Sequence, residues 1–80
     1  MKVLFFAQIR EDLKTSELEI EGDIKTVKQL RSLLQEKGDR WQDLLSSERS
    51  LVAVNQTLCD DEFSLNANDE VAFFPPVTGG

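Results

Sequence analysis

Histidine is absent from this 80-residue chain, and cysteine occurs once, as Cys59. Without histidine there is no usual general base, no commonest metal ligand and no Ser-His or Cys-His nucleophile pair. A lone cysteine excludes an internal disulfide and any multi-cysteine metal site, and it points to a reducing compartment. Gly22 and Gly38 stand isolated, so no glycine-rich loop cradles a phosphate. No apolar run approaches the roughly 20 residues needed to span a bilayer. The first six residues lack the length and cleavage site of a signal peptide. A cytoplasmic chain with no resident metal or cofactor is expected. Basic residues are also short, 9 against 15 acidic, for a net charge of −6. That field repels nucleic-acid phosphates and anionic membranes and favours partners with basic faces, although solubility alone accounts for much of it.

What is present reads as one small soluble domain, 40% hydrophobic and 30% charged. At this size only about 60–65% of the unfolded chain's surface is buried, which leaves little room for a deep active site. Residues 2–8 predict a strand with Val3, Phe5 and Ala7 on one face and Lys2, Leu4, Phe6 and Gln8 on the other. Apolar side chains on both faces place it centrally in its sheet. Residues 9–15 carry five charged or polar side chains and read as a loop. Residues 16–21 alternate, with Leu18 and Ile20 inward and glutamates outward, as an edge strand does.

A helix is expected from Thr26, where Thr26 and Gln29 fit a capping box. Val27, Leu30, Leu33 and Leu34 form its buried stripe, and Gly38 lies beyond its end. Asp39 is expected to cap a short second helical turn that buries Trp41, Leu44 and Leu45. Residues 51–55 form a third strand, Asn55-Gln56 a turn, residues 57–59 a short return strand and residues 70–74 the last one. Between them, Asp60-Asp61-Glu62 lacks the spacing of a calcium loop and reads as solvated, while Phe63 and Leu65 are expected in the core. The order is that of an α+β domain, a mixed sheet with one main helix on one face.

Catalytic groups of the chain's own are hard to find. The acidic pairs Glu11-Asp12, Asp60-Asp61 and Asp69-Glu70 are sequence neighbours with no reason to converge, and nothing activates Cys59. What remains is the terminal carboxylate on a stalk. The apolar run of residues 71–74 stops at Pro75-Pro76, since proline has no N–H for a ladder. The chain thus divides into a globular domain, 1–74, and a flexible extended tail, 75–80. Six residues span roughly 20 Å, and Gly79-Gly80 is the thinnest backbone available for entering a narrow site. A carboxylate is a poor electrophile and needs activation, for example by a partner that uses ATP to form an acyl-adenylate. A sulfide equivalent replacing AMP then gives a thiocarboxylate. On these residues alone, a sulfur carrier, a modifier that forms isopeptide bonds, and a binding module with an incidental tail all remain open.

The segments KVLFFAQIR (2–10), AVNQTL (53–58) and DEVAFFPPVTGG (69–80) are more specific. In them the chain closely resembles the small sulfur-carrier subunits of molybdopterin synthase, a family of ubiquitin-like β-grasp proteins. Thiamin-type sulfur carriers share the Gly-Gly but are not similar in the longer ending. The resemblance implies no enzyme activity of the chain alone. It implies that an activating enzyme adenylates Gly80, that a sulfurtransferase system converts it to the thiocarboxylate, and that Pro75, Pro76, Val77, Thr78 and Gly79 deliver it into the large subunit. There the sulfur builds a dithiolene on a cyclic pyranopterin precursor, within a heterotetramer. In a β-grasp sheet the first and last strands are neighbours. Alternation then puts Phe6 and Phe74 together on the face away from the helix, with Leu58 extending the patch and Arg10 on its rim. Burial by a partner would account for such a patch, unless the two rings cover each other.

Overall fold

In the computed structural model, which describes residues 1–76, β1 (Lys2–Phe5) turns Val3 and Phe5 inward and almost wholly out of solvent. β5 (Glu70–Phe74) lies parallel to it, with Val3 level with Val71 and Phe5 with Phe73. β2 (Glu17–Glu19) is antiparallel to β1 at one edge. β3 (Leu51–Val54) is antiparallel to β5 on the other side and continues through a hairpin into β4 (Thr57–Cys59). The order is β2-β1-β5-β3-β4, a mixed five-stranded sheet with the first and last strands at its centre. This is the β-grasp arrangement.

Three helices are described: an unexpected α1 (Ala7–Leu13), the main one, α2 (Val27–Gln35), and the short α3 (Asp39–Leu44). They bury one face of the sheet. Val27, Leu30 and Leu34 of α2 meet the inward residues of the strands, and Leu44, Leu45 and Leu65 complete the core. Phe5 stacks on Phe73 with centroids 6.1 Å apart and meets the edge of Trp41 at 5.5 Å, both within the range where aromatic pairs attract.

α1 replaces the loop expected at residues 9–15, and β1 stops at Phe5 instead of reaching residue 8. Ile9 and Leu13, four apart, bury the same side of α1. Two apolar positions among charges are too short a stripe to announce a helix. Ala7, in a left-handed conformation at φ 53°, turns the chain out of the strand, and Lys14 at φ 54° ends α1. Thr26 caps α2 as expected, its Oγ1 accepting from the Gln29 N–H at 3.3 Å; Gln29 Oε1 answers by accepting from Lys25 N–H at 2.7 Å, one residue before the capping threonine.

Other expectations give way. α2 closes at Glu36 in a right-handed conformation, and Gly38, extended at φ 161°, precedes α3 instead of ending α2. Asp39 is therefore the first residue of α3 and not its cap, a position where a carboxylate still suits the helix dipole. Leu33 lies at the border of the α2 stripe and stays 41% exposed, and Phe63 is 42% exposed rather than in the core. Leu65, Leu44 and Leu45 are buried as expected, with Trp41 partly so.

Candidate docking face

All three helices lie on one side, so among the described residues no other element covers the opposite face of the sheet. Registers place Leu4 beside Ala72, Ala72 beside Ala53, and Ala53 beside Leu58, an apolar row across β1, β5, β3 and β4. Paired residues share a face, and these are the positions between the inward ones. Phe74 and Leu51 pair as the next row. Phe6 lies one residue past β1, yet its backbone remains extended (φ −126°, ψ 157°) and its N–H donates to the Phe73 carbonyl at 3.1 Å. Alternation therefore carries one residue further and turns Phe6 to the Leu4 side, level with Phe74.

The structure thus brings Phe6, Leu58 and Phe74 to one face. Leu58 is 63% and Phe6 44% exposed, while Phe74 is half-buried against its neighbours. The ring pairs among the described residues are Phe5 with Phe73 and with Trp41; Phe6 and Phe74 form none, so they do not stack to cover each other. Arg10 is exposed on α1, one turn beyond Phe6, whose carbonyl accepts its N–H at 3.3 Å. That bond sets its backbone beside that of Phe6. Glu17 is level with Leu4, and Glu19 and Glu70 with Lys2, so the β2 end of the face is acidic. Lys2 offsets it only through an exposed 3.8 Å pair with Glu17, worth little in water.

Backbone geometry at the opposite end explains part of the AVNQTL segment. Asn55 and Gln56 both have positive φ, 50° and 71°, the requirement of the tight turn that suits a hairpin's twist. The Asn55 amide then ties the turn to β5, with Nδ2 donating to Asp69 Oδ1 at 2.9 Å and Oδ1 accepting from Glu70 N–H at 3.0 Å.

Of the stalk, Pro75 is half-buried and Pro76 exposed, both past the end of β5. Val77, Thr78, Gly79 and Gly80 lie outside the described residues. Cys59 is half-buried, its Sγ 3.9 Å from the Val52 carbonyl. Burial first, then the neighbouring Asp60 carboxylate, pushes its thiol pKa up, away from nucleophilic use.

Sequence reasoning passed over Arg31. Only 5% exposed, it sends Nε to Asp61 Oδ1 at 2.7 Å, Nη1 to Ser50 Oγ at 2.6 Å and to the Leu45 and Ser46 carbonyls, and Nη2 to the Ser50 carbonyl at 3.0 Å. Asp61 also accepts from Ser47 Oγ at 3.0 Å. The middle residue of the acidic run is therefore a structural partner and not merely solvated. Arginine in an amphipathic helix ordinarily reads as surface; the one available signal was its place beside Leu30 and Leu34 in the apolar stripe.

A family model described as the ThiS family matches residues 3–80. The chain belongs to that family. Among individual relatives, the molybdopterin synthase sulfur carrier subunit of Escherichia coli is 50% identical over 80 residues, covering all of this chain and 99% of that one. A solved protein–protein complex of subunits 1 and 2 of the molybdopterin-converting factor of Helicobacter pylori contains a chain 29% identical, with a TM-score of 0.70 and coverage of 99% and 96%. SAMP1 of Haloferax volcanii, 22% identical with a TM-score of 0.79 and coverage of 99% and 97%, shares the fold.

Proposed function

We propose that this chain is the sulfur-carrying small subunit of a molybdopterin synthase, without catalytic activity of its own. The observation that carries the reading is the uncovered apolar face of Phe6, Leu58 and Phe74, together with the delivery of Pro75-Pro76 from the end of the same strand that holds Phe74. Full-length identity of 50% to a subunit of that name supports it, and the complex from Helicobacter pylori supports a large-subunit partner on a chain of this fold.

In this reading the Gly80 carboxylate attacks ATP on an activating enzyme, forming the acyl-adenylate and releasing pyrophosphate. The nucleotide is held only as that adenylate. A sulfurtransferase system supplies sulfur, a sulfide equivalent displaces AMP, and the C-terminus becomes a thiocarboxylate. Pro75, Pro76, Val77, Thr78 and Gly79 form the arm, long enough at roughly 20 Å to place the sulfur in a partner's site while the sheet stays outside. Phe6, Leu58 and Phe74 dock against apolar surface of the large subunit, with Arg10 on the rim, in a cytoplasmic heterotetramer of two carriers on a large-subunit dimer. Sulfur then passes to the pyranopterin precursor.

The test is the intact mass of the protein after co-expression with its activating enzyme and a sulfur source. One oxygen exchanged for sulfur, mapped to Gly80, is expected. An unmodified terminus in the presence of active enzyme overturns the reading, and high-mass conjugates through lysine would assign the chain as a modifier instead.

A further inference from the structure

The last paired residues of the sheet before the stalk are Leu51 of β3 and Phe74 of β5. Each is flanked by a residue in contact with the same guanidinium. Ser50, which precedes Leu51, accepts from Arg31 through both its carbonyl and its hydroxyl. Phe73, which precedes Phe74, has its ring beneath Arg31 Cζ at 5.2 Å. Nη1 also donates to the Leu45 and Ser46 carbonyls and Nε to Asp61, fixing the plane from the chain before β3 and the chain after β4. From the structure we infer that Arg31 is a positioning residue that holds the β3–β5 end of the sheet and so sets the direction in which Pro75-Pro76 leaves. The inference rests on the carrier reading above, since direction matters only if the terminus must enter a partner's site.

Stability alone does not call for this arrangement. Apolar side chains of similar volume often replace buried ion pairs without loss, or with gain. What an aliphatic chain lacks is a planar fork whose donors hold several segments at set angles. Direction is worth holding here because the stalk is short and begins with two prolines, whose φ is restricted. A tilt of about 10° at Phe74 moves the far end of the two prolines, roughly 7 Å away, by about 1.2 Å, the size of the misplacement of about 1 Å that slows positioned reactions on the order of a hundredfold. Glycines near the end absorb part of such an error, so a smaller loss is expected.

The experiment compares full-length wild-type, Arg31→Lys and Asp61→Asn chains, each charged as the thiocarboxylate, in sulfur transfer by the large subunit. Amide hydrogen exchange is read alongside at residues 50–51 and 73–74. Asp61→Asn keeps an oxygen to accept from Arg31 Nε while it removes the charge and the oxygen that accepts from Ser47 Oγ, so it decides the matter if Arg31→Lys fails to fold. The expected result is a kcat about tenfold lower with KM and partner Kd within twofold of wild type, and faster exchange confined to those four positions. The lysine variant should show the larger effect. Unchanged kcat overturns the inference, and so does a KM that rises in step with a falling Tm, the pattern of a merely structural residue. A wild-type chain that accepts no sulfur at all overturns the carrier reading, and the inference falls with it.

Discussion

Phe73 and Phe74 are adjacent, identical in chemistry and turned to opposite faces of one strand, so truncating each separates core from docking surface. Phe73 is fully buried, stacked on Phe5 and beneath the Arg31 guanidinium. Phe73→Ala is expected to cost about 3–5 kcal/mol, the range for a buried phenylalanine. An 80-residue domain holds roughly 4–12 kcal/mol in total, at about 0.05–0.15 kcal/mol per residue. The first variant should therefore lose from about a quarter of its stability to all of it. Phe74 is half-buried and pairs with Leu51 on the open face. Phe74→Ala forfeits a cross-strand contact of about 0.2–1 kcal/mol and leaves no internal cavity. Against the partner the same ring should behave as a central anchor worth about 2 kcal/mol or more, roughly a 30-fold rise in Kd. Urea denaturation gives the stabilities, with an unchanged m-value for Phe74→Ala, and calorimetry with the large subunit gives the affinities. A Phe74→Ala variant as unstable as Phe73→Ala, or one that binds its partner as wild type does, would refute the assignment of faces.

Other substitutions probe local features. Thr26→Ala removes the oxygen that accepts from Gln29 and should cost about 1 kcal/mol, seen as a Tm lower by about 4–8 °C in a domain of this size. Gln56→Gly puts glycine at φ 71° and should stabilise by about 0.5–1 kcal/mol, part of the penalty an L-residue bears there; a lower Tm would refute the turn geometry. Cys59, with its thiol pKa raised chiefly by burial, should react with iodoacetamide at pH 8 more slowly than a cysteine in an unfolded peptide. Its folded state holds the proton more tightly than the unfolded state. Its contribution to stability is therefore intact below the ordinary thiol range and is lost as pH rises through the raised value; a Cys59→Ala variant should lack that alkaline loss.

The strands were legible because each is short and alternates, and β4 and β5 coincide with their expected ranges. The neighbouring positions of Phe6 and Phe74 followed from period-two arithmetic once β1 and β5 were taken as adjacent. What escaped depends on distant contacts. Ile9 and Leu13 make α1 only because a core waits beneath them, and the left-handed Ala7 that starts it has no signal in its side chain. Arg31 is buried because Asp61, thirty residues away, and three backbone carbonyls converge on it. Phe63 looked like core by hydrophobicity, yet only one of the two aromatic or aliphatic residues there, Leu65, finds room.

The open face also explains why composition said so little about function. A chain with 15 acidic side chains presents an apolar surface that its described helices do not cover. Hydrophobic side chains there add nothing to the core, and to the free protein they are a liability. In the carrier reading their use lies in a partner, and acidic residues at the β2 edge then favour a partner with basic rims, whose approach long-range attraction accelerates. Docking of that kind sets affinity and orientation, but it performs no chemistry. If the carrier reading holds, the two tasks occupy separate parts of the chain, with Phe6, Leu58 and Phe74 deciding who is met and the stalk beyond Phe74 deciding what is done. Loss of Gly80 should then abolish sulfur transfer while leaving Kd for the large subunit within a few-fold, because the apolar face is intact. Substituting Leu58 by Asp should do the reverse, raising Kd by a hundredfold or so, or about 3 kcal/mol, with the terminus still chemically competent. A Gly80 deletion that bound far more weakly than the wild type would show that the tail supplies most of the binding energy, and the division proposed between face and stalk would fail.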